Sequence, residues 1–465
     1  MGRSATQSRA TVGSGAPGRR RAPGGRRAGA ASASGATGRR PAPRRRGRQG
    51  SARGLQGGGP AVLAREPVMG RFGPVRVRQL VALQVAAGLV LAAWVVHERL
   101  LVPASVVAFF LVLVALTRWG GRPLPEWLGG ALALRRRRRA AAPVLERDVS
   151  AGLVPVVECA PRLRCHEYAH RDGRRIGVVG DETFLTAVVR VERRDAALRG
   201  GRGEHPLPLG PVYDALEVDG IRLESAQVVQ HTQPAPAPTL PPQAVAALSY
   251  GPLQRETGVP AARLTWVALK LDPERCREAV DARGGGVDGA QRALARVADQ
   301  VASRLTGAGF RTTVLTEDEL VAALATSAAA DPLVTAQAGQ PDATPVRRTA
   351  ESARAWRCDD RWHTVYGIGR WPELGSGGSP LPEVAAALSA LPALATTLSL
   401  TLARGPHEAV AITGHVRVTA CGEAELAALR QQVEQAARGA GVALTRLDHE
   451  QVPGVLASLP LGGVR

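Results

Sequence analysis

Lysine occurs once in this chain of 465 residues, at Lys270, although lysine and arginine together number 60. So strong a bias toward arginine points to a GC-rich coding sequence rather than to a physical requirement. Aromatic residues make up only 3% of the chain, too few for a surface that stacks nucleobases along a basic groove. The five cysteines, Cys159, Cys165, Cys276, Cys358 and Cys421, are odd in number, scattered and without a CxxC pair. A disulfide framework is therefore not expected, and free thiols are. No GxSxG segment is present, and no glycine loop runs into Lys-Ser or Lys-Thr. Gly284-Gly285-Gly286 accordingly reads as a helix stop rather than a phosphate cradle. The lone acidic pair Asp359-Asp360 reads as a solvated turn.

Acidic residues are missing altogether from positions 1–65, where fifteen arginines stand among Gly, Ala, Ser and Pro. That tail has no apolar periodicity and is expected to be disordered. Together with the run Arg135–Arg139 it accounts for the whole net charge of +20, so the remaining chain is near neutral. The balance argues against specific nucleic-acid binding by the folded part. The tail reads best as a solvated segment whose arginines help to fix topology; contact with anionic lipid, nucleic acid or an acidic partner is the functional alternative.

Charge is also missing from two apolar runs, Gln79–Val96 and Leu100–Thr117, separated by His97-Glu98-Arg99. Each corresponds to roughly 27 Å of helix, near the hydrocarbon thickness of a bilayer. The spacing predicts a two-helix transmembrane hairpin. Arginines flank it on the outside: Arg76 and Arg78 before, Arg118, Arg122, Arg135, Arg136, Arg137, Arg138 and Arg139 after. Positive residues stay on the cytoplasmic side, which predicts a plasma-membrane protein with both termini in the cytoplasm. A signal peptide fits poorly, because the first run lies far from the N-terminus and a second follows at once.

The expected architecture is an α/β membrane protein. It comprises a disordered tail (1–66), the hairpin (67–122), a basic juxtamembrane segment (123–145) and a cytoplasmic mixed α/β domain. The first part of that domain covers 146–326, an Ala/Pro/Thr-rich flexible linker covers 327–355, and the second part covers 356–465. Alternating apolar residues predict strands at 176–179, 184–192, 221–233, 264–271, 310–315, 398–402, 409–418 and 442–447. Asp272-Pro273 reads as a helix start. Asp288 reads as the cap of a second helix whose buried face carries Ala290, Leu294, Val297, Val301 and Leu305. Thr316 and Glu319 form a capping box. Further helices are expected at 382–391, 423–438 and 451–459. Trp356, Trp362, Tyr366 and Trp371 read as core or interface residues. Residues 307–324 and 439–456 follow one pattern at a constant offset of 132: Gly-Ala-Gly, strand, a capping residue (Thr316 or Asp448), helix. Two related strand–helix–strand–helix halves are the reading of that pattern.

One motif offers chemistry. His166-Glu167-Tyr168-Ala169-His170 matches HExxH, which on a helix sets two zinc ligands and a general base on one face. Here Asp172-Gly173 turns the chain directly afterwards and strand patterns follow, so a polar loop or strand edge is the preferred reading. No metal, cofactor or catalytic residue is expected. The rival class is a membrane-anchored enzyme with a cytoplasmic site, either a zinc hydrolase at this segment or a transferase.

The order of features resembles the EccE family of actinobacterial type VII (ESX) secretion systems. The carrying segments are the Arg-flanked hairpin, Gly177–Glu192, Gly220–His231, Leu264–Pro273, Arg283–Gly286, Arg292–Leu305, Leu315–Glu319, Trp362–Tyr366, Ala395–Leu402 and Leu459–Gly463. Their order and spacing carry the likeness, which covers residues 70–463 and leaves out the tail, the HExxH match and most of 327–355. The resemblance implies a non-enzymatic inner-membrane component that assembles with EccB-, EccC- and EccD-like subunits, with EccC supplying the motor. It implies no catalytic residues.

Overall fold

The computed structural model describes residues 71–463 apart from 73–74, 117, 120–121, 145–148, 171, 194–205, most of 234–261, 373–380 and 406–408. The expected tail lies outside the described residues, as do residues 199–203, whose Arg/Gly sequence reads as a loop, residues 234–238, whose alternating prolines read as a stiff linker, and the side chains of Arg76, Arg78, Arg118 and Arg122.

A short ladder between Arg71–Phe72 and Val75–Arg76 precedes two apolar helices, α1 (Val77–Val96) and α2 (Leu101–Leu116), joined by a single 3-10 turn at Glu98–Leu100. They pack through small residues, with Ala86, Ala93 and Ala108 buried; alanines let helix backbones approach closely. Among the described residues no helix is long and apolar enough to cross a membrane. The 16 residues of α2 amount to about 24 Å of helix, and the first turn of α1 carries Arg78. A third helix, α3 (Leu124–Ala140), contains the arginine run.

The rest is a mixed α/β domain around a 12-stranded sheet in which every pairing is antiparallel. Its strands are β1 (Arg164–Ala169), β2 (Arg175–Gly180), β3 (Leu185–Arg193), β4 (Ser225–Gln233), β5 (Ala262–Leu271), β6 (Phe310–Val314), β7 (Thr349–Glu351), β8 (Trp356–Cys358), β9 (Arg361–Arg370), β10 (Ala395–Arg404), β11 (Val410–Ala420) and β12 (Ala443–Arg446). The order across the sheet is β1-β2-β3-β5-β4-β10-β11-β9-β8-β7, with β6 branching from β3 and β12 from β9. That order is a palindrome. A pseudo-twofold axis passes between β4 and β10, where Val229 faces Ser399.

The register confirms the equivalence residue by residue. Val188, Ala268 and Gln227 form one cross-strand row, and Val365, Arg417 and Thr397 form its counterpart. Val314 pairs with Val189 as Arg446 pairs with Tyr366, preserving the offset of 132 between the branch strands. At the two edges, Cys165 on β1 stands where Glu351 stands on β7.

Helices cover both faces. On one face lie α4 (Gly286–Gly307), α7 (Leu381–Ser389) and α8 (Glu423–Gly439). Ala290, Leu294, Val297, Val301 and Leu305 of α4 are all buried against β3 and β5, as the periodicity requires. On the other face lie α5 (Glu317–Ser327) and α9 (Gln451–Ser458). The capping box of Thr316 and Glu319 starts α5. Trp356 and Tyr366 are buried, and Trp362 and Trp371 pack against core clusters.

Several expectations need correction. The helix after Asp272 begins only at Arg277; Asp272 instead accepts amide hydrogen bonds from Glu274 and Arg275 in the preceding turn. The next helix starts at Gly286, so Asp288 lies inside its first turn, paired with Arg292. Asp448 does not cap α9 but pairs with Arg446. Residues 221–233 break at Leu223-Glu224 into a short ladder and β4. The 327–355 connection contains α6 (Pro332–Ala338), capped by Asp331, and the edge strand β7. It is anchored by Arg348, whose buried guanidinium meets Asp359 at 2.7 and 2.9 Å. Asp359 is therefore no solvated turn residue: it adopts φ +52° in a two-residue hairpin and turns its carboxylate inward. Such a pair orders the connection, because either charge alone would be stranded in the core.

Candidate membrane and docking site

Many large apolar side chains on α1 and α2 are exposed. Trp94 is 65% exposed and Phe109 64%, and Leu83, Val85, Leu91, Val95, Val102 and Phe110 are exposed as well. A contiguous apolar surface of this kind calls for hydrocarbon or a partner. Between the helices runs a shallow apolar groove of about 850 Å³ lined by Ala86, Val90, Trp94, Leu101, Ala108 and Val112.

The helix α3 joins this hairpin to the sheet. Arg137 makes a bidentate pair with Glu351 at the edge strand, Nε to Oε2 at 2.8 Å and Nη2 to Oε1 at 2.9 Å, and also donates to the His449 carbonyl. Arg138 donates through Nε to the Glu351 carbonyl at 2.8 Å. Glu351 in turn accepts the Val452 amide at 2.9 Å, one of the free N–H groups that open α9. Trp127 meets the His449 ring edge-on at 5.1 Å. The expected basic juxtamembrane segment is thus a helix, and two of its five arginines are held by the domain. Helical spacing was the signal that could have split the run, since neighbours in sequence lie about 100° apart around a helix.

The HExxH match falls on β1, an edge strand, not on a helix. Along an extended chain His166 and His170 lie about 13 Å apart, too far to share one metal ion. Glu167 pairs with Arg175. His170 Nδ1 lies 2.8 Å from Asp172, whose carboxyl is held below its usual range by hydrogen bonds from Arg174. Arg174 also reaches Asp299 on α4 at 2.8 and 3.0 Å. Burial pushes the Cys165 thiol up to about 12, away from the thiolate that a metal requires. Among the described residues no group of three or more His, Cys, Asp or Glu side chains could hold a metal ion. All five cysteines are free.

Residues 259–368 match the family described as "Putative type VII ESX secretion system translocon, EccE". This segment is similar to the EccE family. In the fold it runs from β5 to β9, from the end of the first half into the start of the second. Two curated relatives, both "ESX-1 secretion system protein EccE1" from Mycobacterium tuberculosis strains CDC 1551 / Oshkosh and ATCC 25618 / H37Rv, are 29% identical over 204 residues. The alignment covers 43% of this chain and 40% of each relative, so the chain spans about two-fifths of the length of the curated EccE1 proteins it matches.

Proposed function

We propose that this chain is a non-catalytic structural subunit of a type VII secretion membrane assembly, supporting complex formation and protein export across the inner membrane. The hairpin of α1 and α2 spans the plasma membrane, and both termini lie in the cytoplasm. Arg76, Arg78, Arg118, Arg122 and the run Arg135–Arg139 set that orientation. Its partners are EccB-, EccC- and EccD-like subunits and membrane lipids. The observation that carries this reading is the exposed apolar surface of the hairpin, joined through α3 to a domain with a segment similar to the EccE family. The strand geometry of the HExxH match speaks against the zinc-hydrolase alternative.

Affinity purification of the full chain in mild detergent, with identification of co-purifying proteins, tests the proposal. Recovery with EccB-, EccC- or EccD-like subunits is expected; recovery of the chain alone would count against it. Stoichiometric zinc that disappears on His166→Ala would overturn the non-catalytic part.

A further inference from the structure

The five arginines of α3 fall on two opposite faces. At about 100° per residue, Trp127, Gly130, Leu134, Arg137 and Arg138 share one arc. Their contacts place that arc against the domain: Trp127 on His449, a Cβ at Gly130 3.4 Å from His449 Cβ, Leu134 buried, Arg137 and Arg138 on Glu351. The opposite arc, also about 100° wide, carries Leu128, Leu132, Arg135, Arg136 and Arg139. Leu128 is 45% exposed and Leu132 54%, and all three arginines are exposed. None of the three is ion-paired among the described residues, in contrast to Arg137.

We infer that this free face of α3 is an interfacial surface that binds anionic phospholipid. Leu128 and Leu132 enter the acyl boundary while Arg135, Arg136 and Arg139 contact headgroup phosphates. Two exposed leucines precede three unpaired cations on the same arc, so the leucine end of the exposed face can reach the acyl boundary while the arginine end stays at the headgroups, and the charge complements an anionic leaflet. The apolar hairpin seven residues upstream of α3 would bring that surface within reach. The inference rests on the membrane reading of the hairpin. It divides the arginine run into a docking pair, Arg137 and Arg138, and a lipid-binding trio.

The test uses the detergent-solubilised full chain titrated with dioctanoyl phosphatidylglycerol, with bound lipid counted by native mass spectrometry and dioctanoyl phosphatidylcholine as the uncharged control. R135Q/R136Q/R139Q is expected to weaken phosphatidylglycerol binding roughly a hundredfold, at about fivefold per arginine. R137Q/R138Q should leave binding within about threefold and instead raise hydrogen exchange at Thr349–Glu351. Equal weakening by both variants, no weakening by the triple variant, or equally tight phosphatidylcholine binding would overturn the inference. Should the triple variant fail to fold, R139Q alone decides the matter, with about fivefold weakening expected and none refuting. Alkaline carbonate extraction separates the two proposals. Wild-type chain released from membranes sinks the hairpin reading, whereas retained chain with unaltered lipid binding in the variants sinks only the role of α3.

Discussion

In the N-terminal half of the sheet, α5 begins on a capping box made by its own residues, Thr316 and Glu319. In the C-terminal half the equivalent helix α9 begins without a side-chain cap of its own. Glu351, on the edge strand β7, supplies the acceptor for the Val452 amide, and Arg137 of α3 holds Glu351 in place. Gln451, which matches Glu319 at the offset of 132, turns inward instead, accepting the Val365 amide and donating to the Leu447 carbonyl. The position equivalent to Glu351 in the first half is Cys165. Two copies of one scaffold therefore diverge where the hairpin is attached: a local cap has been replaced by a long-range one that the anchoring helix completes. The docking of α3 and the start of α9 become a single structural unit.

The largest effect should come from breaking the stitch that joins the halves. After α9 the chain crosses the sheet to the first half, where Thr186 donates to the Leu461 carbonyl, Ser225 to the Gly462 carbonyl and the Gly462 amide to Gln227. Gly462 has φ +87°, and a Cβ there would lie 2.5 Å from Lys270 Cβ. Gly462→Val is expected to cost about 3 kcal/mol or more, read as a lowered midpoint in thermal unfolding of the solubilised chain. Gly439→Ala, where nothing lies within 4 Å and φ is not positive, should be near neutral. Equal midpoints for the two variants would remove the stitch from the account.

Next comes the divergent cap itself. Glu351 is 3% exposed at its side chain and Arg137 30%, so the pair is only partly screened. Glu351→Ala leaves both Arg137 and the Val452 amide without their acceptor and should cost about 2 kcal/mol. Thr316→Ala in the other half should cost about 1 kcal/mol, and Cys165→Ala less. Hydrogen exchange sharpens the contrast. Glu351→Ala should raise exchange in both α3 and α9, whereas Thr316→Ala should act on α5 alone. Exchange confined to α9 in the first variant would separate the cap from the docking of α3.

Local features were legible in the sequence. The buried stripe of α4, the Thr316–Glu319 box and the alternation in β3, β5 and β11 each depend on residues within one or two turns. The offset of 132 exposed the two branch units because strand and helix there kept their spacing. The palindrome of the whole sheet stayed hidden. Its strands β1–β3 and β7–β9 share pairing register rather than residue type, and register depends on contacts far apart in sequence. The same holds for Asp359, whose partner Arg348 lies on the preceding connection, and for Glu351, which serves a helix 101 residues later. The split of the arginine run was readable in principle: Leu128, Leu132, Arg135 and Arg139 are spaced four, three and four, the signature of one helical face.

The smallest expected effect concerns a charge present in only one half. Arg417 is fully buried, and its counterpart is Ala268. Its Nη2 donates to the Ser327 carbonyl and lies 3.2 Å from Ser327 Oγ and 3.3 Å from Thr397 Oγ1. Nε and Nη1 have no hydrogen-bond partner among the described residues, and burial lowers the guanidinium to about 10. No carboxylate would be stranded by its removal, so Arg417→Met should leave stability at pH 7 within about 1 kcal/mol of the parent, or raise it. The acid range should respond more. Burial, and after it the charge of Arg417, lowers His231 to about 3 and holds His363 well below its ordinary value. As pH falls below about 6.5 the unfolded chain takes up protons that the folded chain refuses, and stability is lost until the folded histidines titrate. Removing Arg417 raises the folded pKa of both, ends that window at a higher pH and reduces the loss. His415, lowered to about 4 by burial alone, should be unaffected and serves as the reference. Unfolding at pH 7 and at pH 4.5, compared between parent and variant, reads both effects. A loss above about 2 kcal/mol at pH 7 would mean that the charge of Arg417 is compensated in the folded protein, and the contrast with Ala268 would then mark an acquired interaction rather than a tolerated one.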